Sequence, residues 1–387
     1  MPVSASTTPS ITTTASTTTP SGPAGDAAPL ARLRGFHPGW FGAVMGTAIV
    51  GVAASLNPGG AVSLAPALRV LGQAMAILAA ALGVVLAVPY LARWFLHRDA
   101  ALRDLRDPVV GALYGTFPGG ILVLAATAAV VGPSQMPPAT ARTLVAVLDW
   151  VGVPLAFAIS VVFAYLLFVR SEVVPEAVNG GWFIPPVVNI VVPLVLVPLV
   201  PGASPAAARL LVMGSYAFWG MGFVLFLLVI SMLHDRLVLH PLPHAGLAPS
   251  LWIGLGPIGV GALALLKVAG AGTVVFGPLG EVVGLASMLA ATVLWGFGVW
   301  WLAAAVLLLV RCLRSGPLPY GMGWWGFTFP VGAFTVATLA LARAWDSRPL
   351  EWAGAGLFLL LAVFWAIVAG RTLWALRTGE AWRGAAR

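Results

Sequence analysis

Apolar residues along this chain fall into long uninterrupted runs, and ten such runs can be counted. They cover about 38–56, 67–95, 109–131, 142–169, 182–201, 206–233, 249–270, 280–311, 321–343 and 352–375. A helix needs ~20 apolar residues to cross a bilayer, so each run is long enough. Barrel strands would instead show short alternating segments. The pattern predicts an all-α integral membrane protein of ten helices. Connections after the odd-numbered runs are short and rich in Pro and Gly (Asn57-Pro58-Gly59-Gly60, Val131-Gly132-Pro133, Pro201-Gly202-Ala203), so the spans pair as five helical hairpins.

The odd spans start alike. The first opens His37-Pro38-Gly39-Trp40-Phe41-Gly42 and the ninth Gly323-Trp324-Trp325-Gly326. Between them come Tyr114-Gly115-Thr116-Phe117-Pro118, Gly180-Gly181-Trp182-Phe183-Ile184-Pro185-Pro186 and Trp252-Ile253-Gly254-Leu255-Gly256-Pro257. Four odd spans carry a proline at a corresponding place, and the first has Gly46 after Met45. The ninth is the most telling. Pro330 lacks an amide hydrogen, so the carbonyl of Gly326 is expected to lose its helical partner and the helix to bend. A freed carbonyl in hydrocarbon is costly unless it faces protein or water. The expected architecture is an inner ring of five bent odd helices around a central pore, sheltered from lipid by the even ones. Phe329, just before the bend, would partly close that pore. Likeness among odd spans that all point one way argues against a five-plus-five inverted repeat, which would relate the first span to the sixth.

Composition agrees and adds direction. Of 387 residues 60% are hydrophobic and 8% charged, against about 25% charged in a soluble domain. The net charge of +8 reflects loop arginines and predicts no nucleic-acid partner. Fourteen of the twenty basic residues lie at the termini or between even and odd spans, which by the positive-inside bias places both termini in the cytoplasm of a multi-pass plasma-membrane protein. Residues 1–35, rich in Ser, Thr and Pro, are expected to form a disordered cytoplasmic tail; 36–376 form the ten-helix domain and 377–387 a short second tail. The N-terminal tract lacks a signal peptide's basic start and apolar core, so the first span would direct insertion. One cysteine, Cys312, excludes an intrachain disulfide.

Chemistry is sparse. No phosphate loop, catalytic triad or zinc signature occurs, so neither an enzyme nor a cofactor or metal site is expected. The five histidines are expected to fall in cytoplasmic loops, and His240-Pro-Leu-Pro-His244 has no companion ligands. Asp149 is the one acid well inside a span. Cation pathways usually need acidic rings or relays, so a cation cargo is disfavoured; Asp149 is expected near the interface, bonded to backbone or an arginine. Arg69, Arg142 and Arg209 open the second, fourth and sixth spans, while Lys267 and Arg343 close the seventh and ninth. A cation in a helix's first turn opposes the macrodipole, so this set reads as an outer mouth attracting anions, or as side chains snorkelling to lipid phosphates. Small uncharged groups and kinked backbone could replace part of an anion's hydration without holding it tightly. The residues expected to line the pore are Met45, Thr47, Thr116, Phe117, Pro186, Asn189, Gly256, Pro257, Thr328 and Pro330. The hydroxyls, Thr335 among them, could equally bond their own helix backbone.

Four stretches together resemble the tellurite-resistance/dicarboxylate transporter family, related to plant slow-type anion channels and to fungal malate and sulfite transporters. They are Phe36 to Thr47, Ser215-Tyr216-Ala217-Phe218-Trp219-Gly220, Pro249 to Gly259, and Trp324 to Pro330. The likeness covers roughly residues 36–376, without the long regulatory tails of the plant channels. It implies ten helices in five hairpins around a central pore, homotrimers with one pore per subunit, and a gating phenylalanine in the ninth helix. By position that residue matches Phe329, with Phe327 and Phe334 nearby. The expected cargo is a small anion: a malate-like C4-dicarboxylate, or sulfite, nitrate, chloride or tellurite. The alternative is proton-coupled transport of a weak-acid or neutral solute through Asp149.

Overall fold

The computed structural model describes residues 32–381 apart from Ser171. Almost all of the N-terminal tail, and residues 382–387 of the C-terminal one, lie outside the described residues. Ten long helices follow the ten apolar runs: α1 (Phe41–Ser55), α2 (Ala65–Leu96), α3 (Thr116–Val130), α4 (Pro138–Phe168), α5 (Ile184–Leu196), α6 (Pro205–Leu239), α7 (Leu255–Phe276), α8 (Gly280–Ser315), α9 (Phe329–Ala344) and α10 (Arg348–Thr378). All ten spans are long and apolar enough to cross a membrane, and the chain is a multi-pass, all-α membrane protein. The face on which the odd helices begin is called near here, the opposite one far.

Burial separates the two sets. The odd spans have 61–89% of their most apolar window buried within the protein, the even spans only 11–22%. Each odd helix packs on the even helix after it, giving the five hairpins, and the odd helices form a closed ring in which α9 returns to α1. Glycines set the closeness of that ring. A Cβ on Gly259 of α7 would stand 2.5 Å from the Phe334 amide nitrogen, and one on Gly332 of α9 2.5 Å from Ile49 of α1. Small residues allowing close backbone approach are the usual means of joining helices where lipid offers no hydrophobic drive.

The bend arises differently from the expectation. Each odd helix is preceded by a 3-10 segment: Pro38–Trp40, Gly111–Gly115, Gly180–Phe183, Ala245–Gly254 and Met322–Phe327. The α-helical part begins afterwards, and Pro118, Pro185, Pro186, Pro257 and Pro330 all fall within its first three residues. Proline there removes no helical donor, because first-turn amides have no partner inside the helix. Pro330 thus starts an α-helix instead of breaking one, and the Thr328 amide closes the preceding 3-10 turn on the Trp325 carbonyl at 3.1 Å. Prolines inside a helix do occur, at Pro89 in α2, Pro154 in α4 and Pro193 in α5.

Turns close the hairpins on the far face, with positive φ at Asn57 (51°), Gly59 (84°) and Gly202 (76°). At the near face a latch joins the start of the fold to the α2–α3 connection. Arg93, 3% exposed, pairs with Asp104, donates to the Arg34 carbonyl at 2.9 Å and to the Tyr114 hydroxyl at 3.1 Å. His37 caps the first 3-10 turn, its Nδ1 accepting from the Gly39 amide at 3.1 Å. Burial lowers its pKa to about 4, which keeps that nitrogen free to accept.

Candidate functional site

Two cavities lie within the odd-helix ring, and each touches all five odd spans. The far one, about 290 Å³, is walled by apolar side chains such as Ile49, Val123, Val191, Val260 and Ala333, with Lys267 and Arg343 at its rim. The near one, about 50 Å³, is lined by Met45, Thr116, Val187, Gly256, Trp325 and Pro330 among others. Phe329 lines both and is the one residue they share. It is 7% exposed. Opposite it Gly256 leaves room: a Cβ there would sit 3.9 Å from Phe329 Cε1 and 3.6 Å from Val187.

The sequence singled out more residues than the structure brings together. Met45, Thr116, Gly256, Phe329 and Pro330 line the near cavity. Thr47, Phe117, Pro186, Asn189, Pro257 and Thr328 line neither. Thr47 accepts from the Trp365 indole at 3.0 Å, which ties α1 to α10. Phe117 stacks on Tyr90 of α2 with ring centroids 4.5 Å apart, on the lipid side of the ring. Asn189 turns to α4, donating to Ser160 and, at 2.8 Å, to the Pro185 carbonyl. Pro186 meets α6, where its carbonyl would lie 2.7 Å from a Cβ on Gly222. Pro257 sits in the first turn of α7. Thr328 fits against Gly46 and donates to the Trp325 carbonyl at 2.8 Å; Thr335 likewise donates back to Val331 at 2.8 Å. Even Thr116 spends its proton locally, within 2.8 Å of the Pro38 and 2.7 Å of the Leu113 carbonyls. Of the neighbouring phenylalanines, Phe327 packs edge-on to Trp252 and Phe334 stacks on Trp295 of α8.

The basic residues divide as well. Lys267 and Arg343 reach the far cavity, and neither forms an ion pair among the described residues. Arg343 donates to the Leu56 carbonyl at 2.6 Å and Arg142 to the Leu199 carbonyl at 2.7 Å. Each guanidinium therefore caps the C-terminal end of an odd helix, a placement the macrodipole favours. Capping does explain Arg142, through a neighbour's end instead of its own helix's start. Arg209 lines a separate hollow at the far ends of α5, α6 and α7. Arg69 is exposed and reaches neither axial cavity.

Asp149 departs from its expected interfacial place. It is 5% exposed, eleven positions after α4 begins at Pro138, and neither carboxylate oxygen has a hydrogen-bond partner. Contact of Gly132 with Ala141 and of Gly152 with Leu122 sets an antiparallel register that puts it opposite Leu124 and Ala125 of α3.

The far wall escaped the sequence reading because it is apolar. Ile49 and Val52, Val123 and Ala126, Val191 and Leu194, Val260 and Leu263 recur at helical spacing, but the odd helices are apolar on every face, so no contrast marks the inner one. Trp325 was visible only as part of a repeated aromatic motif.

Residues 35–373 match the model of a family described as the voltage-dependent anion channel, SLAC1. An uncharacterized transporter of Methanocaldococcus jannaschii, MJ0576, is 33% identical over 91% of this chain and 96% of its own. The sulfite efflux pump SSU1 of Trichophyton rubrum is 25% identical over 91% and 93% respectively. The malic acid transport protein of Schizosaccharomyces pombe is 23% identical over 58% of this chain and 53% of its own. These are transporters and channels, not enzymes. With ten spans in place and a family model covering nearly all of them, the chain belongs to the SLAC1 voltage-dependent anion channel family and is an anion transport protein.

Proposed function

We propose that small anions cross the membrane along the axis of the odd-helix ring, gated by Phe329. The observation that carries this is the place of that ring: it lies between the two axial cavities, so an ion moving from one to the other must pass it. An apolar constriction of this kind blocks conduction until it moves or is wetted. Lys267 and Arg343 at the far rim would raise the local anion concentration, and an apolar wall would discriminate by the cost of removing water instead of by tight binding. Candidate cargoes are malate-like C4-dicarboxylates and inorganic anions such as sulfite, nitrate, chloride and tellurite. The sulfite and malate named for two relatives fall in this range. The arginine bias of the near face supports a plasma-membrane orientation with both termini cytoplasmic, and family resemblance supports a homotrimer with one pathway per subunit.

The test is Phe329→Ala in proteoliposomes, with anion efflux measured across a panel of salts. Flux should rise on the order of tenfold, an effect that corresponds to ~1.4 kcal/mol of barrier. Unchanged flux from correctly assembled protein would overturn the gate.

Asp149 supports one second reading, coupling of a weak acid or neutral solute to protons. A mid-membrane carboxyl without a partner is commonly functional. Under passive conduction, Asp149→Asn leaves flux and its pH dependence unchanged. Loss of pH-driven uptake in that variant would favour coupling instead.

A further inference from the structure

We infer that the near cavity is a transient stop for one small inorganic anion, with the Trp325 indole N–H as its side-chain donor. The inference rests on the anion pathway proposed above and names the size class that passes most readily. Trp325 lines the cavity, is 5% exposed, and its Nε1 is buried with no acceptor. Seven other indoles behave differently: those of Trp182, Trp219, Trp295, Trp301, Trp324, Trp345 and Trp365 each donate to a carbonyl or hydroxyl within 3.1 Å. Leaving a buried donor unmade is costly, and a passing acceptor removes the cost.

The surroundings favour that acceptor being an anion. The cavity takes first-turn residues from every odd helix: Gly42 of α1, Thr116 of α3, Ile184 of α5, Gly256 of α7, and Phe329 and Pro330 of α9. All five helices run near to far, so the positive ends of their dipoles lie at the cavity or in the 3-10 turns just beneath it, where negative charge is favoured. Opening amides of the odd helices close onto the 3-10 turn before them, that of Thr116 on Leu113 and that of Ile184 on Gly181 among them, and the Thr116 hydroxyl donates to carbonyls. Among the lining side chains the indole N–H is the donor left over. No side chain lining the cavity carries a charge of either sign, so binding is weak enough to release the ion.

Size sets the class. The near void, about 50 Å³, is about a sixth of the far one, about 290 Å³, so the smallest anions fit it first. A halide or nitrate-sized oxyanion enters after shedding its hydration shell, whereas a C4-dicarboxylate requires the walls to move apart.

Trp325→Phe keeps an aromatic ring while removing the donor and part of the indole's bulk. It should be made alone and with Phe329→Ala, and flux compared for nitrate, chloride and malate in proteoliposomes. With the gate opened, the donor's loss should lower nitrate selectivity over malate roughly tenfold, a hydrogen bond to a charged group being the interaction removed. In ¹⁵N-tryptophan-labelled protein with Phe329→Ala, the indole resonance missing from the Trp325→Phe sample should shift on titrating sodium nitrate. An unchanged permeability ratio together with a static resonance overturns the stop while leaving the gate standing. Failure of Phe329→Ala to raise any anion flux would instead overturn the Phe329 gate on which the proposed pathway rests. Should Trp325→Phe fail to assemble, the Trp325 resonance, assigned by selective labelling, decides alone: a nitrate-dependent shift supports the stop and none overturns it.

Discussion

On the far side of Phe329 the axial space is about 290 Å³ and has two cations at its rim, while on the near side it is about 50 Å³ and has no charged lining residue. The difference follows from helix direction. Five odd helices point the same way, so their amide ends gather on the near side and their carbonyl ends on the far side. Carbonyl ends repel an anion. The far face answers with side chains: Arg343 covers the Leu56 carbonyl and Arg142 the Leu199 carbonyl. The near face has no such need, because its helix ends already favour negative charge. Cations at one end and bare backbone at the other are therefore two parts of a single electrostatic arrangement, and the far arginines offset a field before they attract an ion.

The largest expected effect erases the comparison by joining the two spaces. Phe329→Ala should merge the cavities and raise flux about tenfold, whereas Phe327→Ala and Phe334→Ala should not, since those rings pack on Trp252 and Trp295. Equal gains from all three would mean that the variants merely loosen the ring.

A smaller effect should separate the two cations of the far rim. Lys267 reaches the cavity without an ion pair, so Lys267→Glu should reduce anion flux several-fold at low ionic strength and much less near 1 M salt, where the Debye length is ~3 Å. Arg343→Ala should lower flux and also stability, by about 1 kcal/mol, because the Leu56 carbonyl loses its donor. Thermal unfolding in detergent distinguishes them: Lys267→Glu should leave the midpoint in place, and Arg343→Ala should lower it by a few degrees. A salt-independent loss in Lys267→Glu would place its action outside long-range attraction.

A pH effect of similar size tests the near-face cap. Burial depresses the His37 pKa from 6.5 to about 4, so the folded state binds fewer protons than the unfolded one between those values. Its stabilisation is complete above pH 6.5 and is lost as pH falls towards 4. His37→Asn keeps an acceptor suited to a cap and should flatten the decline in unfolding midpoint across that window. An unchanged slope would mean that other groups set it.

How much of this was legible in the chain depends on contrast. Ten spans, five hairpins and the inner and outer rings could be read, because membrane length, turn residues and repeated Gly-Trp and proline motifs are local signals. The cause of the bend was not, since a proline after a run rich in aromatic and glycine residues reads equally as breaking an α-helix or as starting one after a 3-10 turn. The walls of the far cavity escaped notice for a related reason. Polar residues draw attention in an apolar span, yet Thr47 and Asn189 are polar because α10 and α4 need partners for an indole and a hydroxyl. The wall is built from valine, isoleucine, leucine and alanine, which no pattern separates from the rest of a uniformly apolar helix.

The smallest expected effect falls on Arg69, and it decides what the basic residues of the far face share. It opens α2 much as Arg142 opens α4 and Arg209 α6, so a funnel built from one cation per hairpin would need all three. Yet Arg69 is exposed, lines neither axial cavity and is tied to no helix end among the described hydrogen bonds. An isolated surface charge beyond a Debye length of ~8 Å at physiological salt contributes little to attraction. At physiological salt Arg69→Glu should therefore change flux less than twofold, and by less than Lys267→Glu does. Equal losses from the two, measured side by side at physiological salt, would restore the general funnel and mean that net charge of the whole far face, and not Lys267 and Arg343 at the rim, governs how anions arrive.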